Sequence, residues 1–169
     1  MHELKIPKER VACLIGKKGV TKKMIERRTK TRLVVSEEGD VEIEGDGYGE
    51  YVCETIVKAV GRGFNPNVAL ELLKDNYGLQ IINVKDYSGD SKKKLIRLRS
   101  RLIGSKGKAR KVVERLTRCH VSVYGKTVTI LGELEYLPVA TKGILKLLNG
   151  SEHGSTYAFI EREMGKVRG

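Results

Sequence analysis

Apolar residues in the first part of the chain change from a helical period to a strand period and back. Three apolar residues with the spacing of one helix face come first: Val20, Met24 and Ile25. Apolar and polar residues then alternate, as in strands, on either side of Gly39-Asp40: Leu33 and Val35, then Val41 and Ile43. A longer helical stripe follows: Tyr51, Val52, Thr55, Ile56, Ala59 and Val60. This order predicts a helix, a two-stranded hairpin and a closing helix.

The same order returns in the second part of the chain. Its amphipathic helix has the apolar positions Ala109, Val112, Val113 and Leu116. Its hairpin has the apolar positions Val121, Val123, Val128 and Ile130 on either side of Gly125-Lys126. The closing stripe is Val139, Ala140, Gly143, Ile144, Leu147 and Leu148. Each unit also begins with a predicted strand and a predicted helix. The strand is residues 4–6 in the first unit and 79–87 in the second, and the helix is residues 8–15 and 92–103. Each unit is therefore predicted to run β-α-α-β-β-α.

Identical residues indicate that the two units are copies of one another. A shift of 88 residues places LIGKKG, at 14–19, on LIGSKG, at 102–107, and pairs Glu26 with Glu114. A repeat of this length indicates two domains of one fold. We expect an α+β protein in which residues 1–64 and 79–150 each form a three-stranded sheet packed on helices. Residues 65–78 are expected to be a linker with a short helix, and residues 151–169 a helical tail.

Each unit joins its first two helices by a four-residue turn with glycine at both ends. Glycine allows positive φ angles and close helix packing, so one such turn has a purely structural explanation. In the alternative, the missing Cβ atoms let a sugar-phosphate backbone approach the N–H groups at the start of the next helix. Lysine inside both turns, GKKG and GSKG, favours this alternative. Neither turn has the GxxxxGK[ST] spacing of a Walker loop.

The I-G-x-x-G sequence, followed by an amphipathic helix and a hairpin, resembles the type I KH domain. This RNA-binding module clamps four backbone nucleotides on its GXXG loop. Two tandem copies span about nine-tenths of the chain. The segments RLIGSKGKARKVVERLTRCHVSVYGKTVTILG and NGSEHGSTYAFIE are similar to archaeal proteins with two KH domains, which are related to the eukaryotic KH factor of small-ribosomal-subunit assembly. The resemblance implies two type I KH domains and a C-terminal tail helix.

The resemblance also implies a groove in each domain that holds single-stranded bases, with their phosphates on the glycine loop. The groove floor would be Ile15, Leu33 and Val34 in the first domain, and Ile103, Val121 and Ser122 in the second. The loops would be Gly16, Lys17, Lys18 and Gly19, and Gly104, Ser105, Lys106 and Gly107. Because Ser122 is polar where Val34 is apolar, we expect the two floors to prefer different bases.

Charge is distributed unevenly along the chain. The net charge of +12 and the pI near 9.7 are typical of nucleic-acid binding. Residues 91–118 contain twelve basic residues and one acid, residues 8–32 have a net charge of +8, and residues 33–89 have −7. Charge runs can be merely solvated helix faces. Since both runs surround a glycine turn, we expect phosphate contacts from Lys22 and Lys23 in the first domain, and Arg97, Arg99, Arg101, Lys108, Arg110 and Lys111 in the second. The second domain is expected to dominate the affinity.

The acidic hairpin of the first domain has two interpretations. Its acidic residues are Glu37, Glu38, Asp40, Glu42, Glu44, Asp46 and Glu50. They either keep the exposed side of the sheet in water, or they repel RNA from this side and bind a basic protein. The alternation of Glu42 and Glu44 with Val41 and Ile43 favours a solvent-facing strand side.

The remaining chemistry-bearing residues indicate a binding protein. The three cysteines, Cys13, Cys53 and Cys119, are far apart and are expected to be small core residues of a reducing compartment. No cysteine or histidine spacing predicts a metal site, and no cofactor is expected. The histidines, His2, His120 and His153, belong to no recognisable catalytic group, so we expect no enzymatic activity. Without a signal peptide or a run of about 20 apolar residues, the chain is expected to be soluble and cytoplasmic.

The functional hypothesis is single-stranded RNA binding, most specifically binding of small-subunit or precursor rRNA during ribosome biogenesis. The alternative is a KH-type adaptor for mRNA or for the exosome. By resemblance, the expected partners are an endonuclease that matures the rRNA 3′ end and a translation initiation factor. Base preference, and whether both grooves hold one strand, do not follow from the sequence.

Overall fold

The structure, a computed structural model, describes residues 1–168, which form two compact units. The first unit is Met1–Asp75, and the second begins at Asn76. Each unit contains one three-stranded antiparallel sheet together with helices. The predicted α+β fold class is confirmed. Within residues 1–168, no helix combines the length and the apolar character needed to cross a bilayer.

The elements of the first unit follow the predicted order. They are β1 (His2–Lys5), α1 (Val11–Ile15), α2 (Val20–Thr29), β2 (Thr31–Val35), β3 (Asp40–Gly45), α3 (Gly47–Gly61) and α4 (Pro66–Ala69). A 3-10 turn at Lys8–Arg10 leads into α1, and another at Leu70–Leu73 follows α4. The helix predicted at residues 8–15 is therefore a 3-10 turn and a short α-helix in succession.

The sheet of the first unit has the strand order β1-β3-β2, which leaves β2 at one edge. Leu33 lies opposite Ile43, and Val34 lies opposite Glu42. Leu33 and Ile43 are buried, whereas Val34 and Glu42 are exposed. The alternating pattern thus separates a buried apolar side from a solvated, largely acidic side, as is common in antiparallel sheets.

The second unit repeats this order and adds two helices. Its elements are β4 (Tyr77–Asn83), α5 (Lys85–Ser88), α6 (Lys92–Ile103), α7 (Lys108–Thr117), β5 (His120–Tyr124), β6 (Thr127–Glu133), α8 (Leu137–Leu148) and α9 (His153–Arg168). The strand order is β4-β6-β5, so β5 occupies the edge that β2 occupies in the first unit. The core side of the sheet buries Val121, Val128 and Ile130.

Helix α9 is the predicted tail helix, and it packs on the core of the second unit. Ile160 and Met164 are buried in that core. Gly143 permits the close approach of α8 and α9, because a Cβ atom at this position would lie 2.6 Å from Cδ1 of Ile160. The ammonium group of Lys146 also lies 4.5 Å from the centre of the Phe159 ring. The tail is therefore an integral part of the second unit.

Two sequence predictions are wrong in detail. The strand predicted to reach residue 87 ends at Asn83, since the side-chain oxygen of Asn83 accepts the N–H of Lys85 and turns the chain into α5. Val20 was assigned to the apolar side of α2 but is 57% exposed. At 100° per residue, Val20 lies about 140° around the helix from buried Ile25, so the two side chains cannot share one face.

An arginine caps the closing helix of each unit. Arg10 donates from Nε to the carbonyl of Val60 (2.8 Å) and from Nη2 to that of Phe64 (2.8 Å), at the end of α3. Arg101 donates from Nε to the carbonyl of Leu147 (3.1 Å) and from Nη2 to that of Ser151, at the end of α8. Val60 and Leu147 lie in the last turns of α3 and α8, and Phe64 and Ser151 lie three residues beyond the ends of these helices. The bonds attach the segment before each glycine turn to the core.

Carboxylates of α3 attach the first strand of the chain. Glu50 accepts the N–H of Gly45 (3.0 Å) and lies 3.2 Å from the amino group of Met1, while His2 contacts both Glu50 and Glu54. Burial opposes the ionisation of Glu50, but the Gly45 N–H, the amino group and His2 together lower its pKa. The pKa of Glu54 is also lowered, by its bonds to Lys58 and His2 against the effect of burial.

This arrangement predicts a loss of stability in acid. A carboxyl group whose pKa is lower in the folded state than in the unfolded state stabilises the folded state when the pH is above the ordinary pKa of 4.5. This stabilisation is lost as the pH falls below 4.5 toward the lowered pKa. We expect Glu50→Gln to reduce the fall in melting temperature between about pH 6 and about pH 3, measured by circular dichroism. Glu44→Gln, which removes an exposed carboxylate from β3, is the control. An unchanged pH dependence in Glu50→Gln would contradict this role.

Candidate nucleic-acid interface

The two glycine turns have the same backbone conformation. In the first turn, φ and ψ are 76° and 172° at Gly16, 57° and 26° at Lys18, and 75° and 14° at Gly19. The corresponding residues of the second turn have 76° and 173°, 55° and 28°, and 77° and 12°. In each turn the N–H of the second glycine donates to the carbonyl of the first at 3.1 Å. The repeat is therefore a repeat of geometry as well as of sequence.

The first glycine of each turn allows the two flanking helices to approach each other. A Cβ atom on Gly16 would lie 2.2 Å from Oγ1 of Thr21, and one on Gly104 would lie 2.6 Å from the backbone nitrogen of Ala109. Both distances are far below van der Waals contact. The structural explanation that the sequence left open therefore applies to this glycine.

At the second glycine, a Cβ atom would meet only the far end of a lysine side chain. The nearest atom to that position is Cε of Lys23 at Gly19 (3.9 Å) and Cε of Lys111 at Gly107 (3.8 Å). Both lysines are exposed. Each turn therefore presents bare backbone at the start of a helix with a lysine side chain beside it, which is a suitable arrangement for a phosphate group.

A lysine inside each turn adopts the left-handed conformation. Lys18 and Lys106 have φ angles of 57° and 55°, and both are exposed. Side chains other than glycine, asparagine and aspartate are uncommon in this region, at a cost of about 1–2 kcal/mol. Both copies keep lysine where glycine would remove the strain, and both also have a left-handed cation at the end of the next helix, Lys30 and Arg118.

A carboxylate that the sequence predictions did not include links the helix after each turn to the edge strand. Glu26 of α2 accepts the N–H of Leu33 on the edge strand β2 (2.8 Å), and Glu114 of α7 accepts the N–H of Val121 on β5 (2.8 Å). Each glutamate also pairs with a cation four residues earlier, Lys22 (3.6 Å) or Arg110 (2.8 Å). The identity of Glu26 and Glu114 at a shift of 88 residues was the only sequence signal for them.

These glutamates determine how the edge strand faces the helix next to it. An edge strand has N–H groups that no neighbouring strand accepts. The carboxylate takes one of them and links the strand to the helix that follows the turn. Lys22 and Arg110, both expected to contact phosphate, are thereby partly neutralised, and Arg110 also donates to the carbonyl of Val121 (3.4 Å).

The residues predicted for each groove floor lie on two opposite faces of the sheet. Leu33 and Val121 face the helix side of their sheets and are buried, and Ile15 and Ile103 are half-buried at the ends of α1 and α6. Val34 and Ser122 lie on the opposite sides of the two sheets. Neighbouring residues of a strand point to opposite faces, so neither pair can share one floor. The prediction that Val34 and Ser122 are floor residues is wrong for this reason.

The predicted cations occupy three kinds of position in the structure. Those in or just after the turns are exposed: Lys17, Lys18, Lys23, Lys106, Lys108 and Lys111. Arg101 is half-buried, and its guanidinium group is held at the end of α8 by its bond to Leu147. Arg97 and Arg99 lie on different sides of α6, since residues two positions apart on a helix are separated by about 200° around its axis.

Arg99 shares one side of α6 with Ile103, four residues later. Its Nε atom is buried and has no hydrogen-bond partner within the described part of the chain. A buried guanidinium nitrogen of this kind is costly unless it binds something. The shared side of the helix places Arg99 next to Ile103.

Two of the three cysteines are core residues, as the sequence predicted. Cys53 and Cys119 are buried, Cys13 is half-buried, and none of the three forms a disulfide. Burial raises the pKa of the Cys119 thiol to about 11, which keeps it protonated at neutral pH. Within residues 1–168, no three histidine, cysteine or acidic side chains are grouped in a way that could hold a metal ion.

Both units match models of a known protein family. A model described as the KH domain matches residues 1–57. A second model, described as the eukaryotic type of KH domain, type I, matches residues 78–165. The two matches include both glycine turns.

Relatives and solved structures cover nearly the whole chain. A KH domain-containing protein of Methanocaldococcus jannaschii is 45% identical across 98% of this chain and 74% of its own length. The crystal structure of Dim2p from Pyrococcus horikoshii OT3 has a TM-score of 0.88 at 44% identity, covering 95% of this chain and 98% of that one. A complex of a/eIF2α, aDim2p and rRNA from the same organism has a TM-score of 0.90 at 43% identity, covering 98% and 94%.

Substitution by glycine should have opposite effects on stability at Lys106, which is strained, and at its neighbour Ser105, which is not. Lys106→Gly should raise the free energy of unfolding by up to about 1 kcal/mol, because glycine has no penalty at positive φ but loses more entropy on folding. Ser105→Gly, where φ is not positive, should lower it by about 0.5–1 kcal/mol. Urea denaturation followed by circular dichroism measures both. Destabilisation of equal size in the two variants would show that Lys106 is not strained.

Proposed function

Because the chain belongs to the KH domain family, with one domain in each half, we propose that it binds single-stranded RNA of the small ribosomal subunit through both glycine turns. RNA binding in ribosome biogenesis is the function that the two KH domains and the Dim2p relatives support. One of the similar structures contains rRNA. The phosphates lie on the bare backbone of the turns, and the bases lie between that backbone and the edge strand.

The observation that carries this proposal is the left-handed lysine inside each turn. Lys18 and Lys106 hold a strained conformation that places a cation between the two glycines in both domains. Lys23 and Lys111 add a second cation beside the second glycine. Two cations beside the N-terminus of a helix match a phosphodiester, whose charge the helix dipole also favours.

Glu26 and Glu114 are proposed to influence which bases are accepted. Each carboxylate lies between the helix after the turn and the edge strand, where it accepts a strand N–H. Carboxylates accept hydrogen bonds from exocyclic amino groups such as N4 of cytosine. Bases with an amino group are therefore favoured next to these residues over bases that present only acceptors at that edge.

The two domains are proposed to differ in affinity. The second turn lies in the more basic segment, residues 91–118, and Arg99 has a buried nitrogen without a partner beside Ile103. The first turn has one more lysine, GKKG against GSKG, but fewer cations around it. We assign the stronger binding to the second domain.

The chain is proposed to hold RNA for other proteins rather than to cleave it. His2 contacts two carboxylates that attach β1, and His153 contacts the carbonyl of Arg101 at 2.8 Å, so both have structural surroundings. We propose that a separate endonuclease acts on the rRNA 3′ end that this protein presents. The presence of a/eIF2α with aDim2p in the similar complex supports an initiation factor as a second partner.

Acidic substitutions in the turns test this function. Ser105→Asp with Lys106→Asp should weaken binding of a short single-stranded rRNA segment at least tenfold, because it removes a cation and adds repulsion at the phosphate position. Lys17→Asp with Lys18→Asp should have a smaller effect. Fluorescence anisotropy measures the affinity, and circular dichroism checks folding. The control is Glu37→Lys with Glu38→Lys, in the β2–β3 turn. Unchanged affinity in both aspartate variants would disprove the groove assignment.

A further inference from the structure

Helix α6 carries a row of cations on the side away from Arg99 and Ile103. Lys94, Arg97 and Arg101 are three and four residues apart, so they lie one above the other along the helix. They line an open cleft of about 470 Å³ between α6 and the C-terminal end of α8. Tyr87, Asn149 and Gly150 contribute to its other walls.

Arg101 gives this cleft a fixed charge. Its guanidinium group donates to the carbonyls of Leu147 and Ser151, which are neutral partners. A carboxylate partner would cancel the charge, whereas these carbonyls orient the group and leave it positive. A guanidinium group has five N–H donors in a planar fork, so three remain after these two bonds. Such a preoriented fork suits phosphate recognition.

The cleft contains no opposing charge. Its described lining includes three cations and no carboxylate. The C-terminal end of α8 contributes the negative end of a helix dipole, but Arg101 donates to the carbonyl of Leu147 there. Lys94 and Arg97 are exposed and can move toward a ligand. The electrostatic character of the cleft is therefore that of a site for an anion.

Two of the three cations of this cleft have no counterpart in the first unit. At a shift of 88 residues, Lys94 and Arg97 correspond to Ile6 and Glu9, whereas Arg10 takes the place of Arg101 at the end of α3. The row of cations is thus not a by-product of the repeated fold. It is carried by an α6 that begins earlier than its counterpart α1.

We propose that this cleft binds phosphodiester groups of the same RNA strand whose other part lies on the turn at residues 104–107. This inference rests on the proposed function and extends it to a second contact. Arg97 lies about 10 Å along α6 from Gly104, at a rise of 1.5 Å per residue. A strand longer than the four nucleotides that a GXXG loop clamps reaches the cleft by passing around α6. The half-buried ring of Tyr87 provides a surface for a base at this point.

RNA length separates the cleft from the groove in an experiment. Lys94→Ala with Arg97→Ala, in the full chain, is compared with the wild type on fluorescently labelled single strands of 6 and 24 nucleotides from the small-subunit rRNA 3′ end. We expect the affinity for the short strand to change less than twofold and that for the long strand to fall at least fivefold. The slope of log K against log salt on the long strand should decrease by about 1.4, the value for two phosphate contacts.

A matched pair of substitutions controls for loss of charge. Lys142→Ala with Arg162→Ala removes two exposed cations from the same unit and should change neither affinity more than twofold. Equal losses of affinity for the two strands, or no loss for either, would contradict RNA binding by the cleft. A loss of affinity for inorganic polyphosphate, with both RNA affinities unchanged, would assign the cleft to another polyanion and would also contradict the proposal. Failure of the wild type to bind either strand would reject the proposed function itself, and the cleft with it.

Discussion

The close approach of two helices across each glycine turn is the constraint on which the rest of each unit depends. At Gly16 and Gly104 there is no space for a Cβ atom, because the next helix begins directly against the turn. That approach places the helix so that Glu26 or Glu114 reaches the N–H of an edge strand. The same helix start leaves the backbone of the second glycine bare, with a lysine beside it. A packing requirement and a binding surface thus arise from one turn.

The elements, their order and the two turns were predictable because they depend on local periodicity and on a repeat. Burial of Leu33, Ile43, Val121 and Ile130 follows from apolar residues two positions apart in strands of five to seven residues. The left-handed turns follow from glycine at the same two positions. The exact bounds were less predictable where a side chain redirects the backbone, as Asn83 does before α5.

The assignment of individual cations was not predictable, because it depends on contacts between residues that are far apart in sequence. Arg101 caps a helix 46 residues away, and Arg110 is paired with Glu114 next to the edge strand. In the sequence both residues look the same as Lys108 and Lys111, which remain exposed. The error at Val34 and Ser122 has a simpler cause, since two consecutive strand residues were placed on one floor although a strand alternates its faces.

Backbone amide chemical shifts during an RNA titration are the sharpest test of RNA binding at the turns, because they report on each turn separately. We expect the short rRNA strand to shift first the amides of residues 104–111, and the amides of residues 16–23 to follow at higher RNA concentration. Amides on the solvated side of the first sheet, such as Glu42 and Glu44, should change little. Shifts confined to that side of the sheet, with both turns unaffected, would show that the turns do not bind RNA.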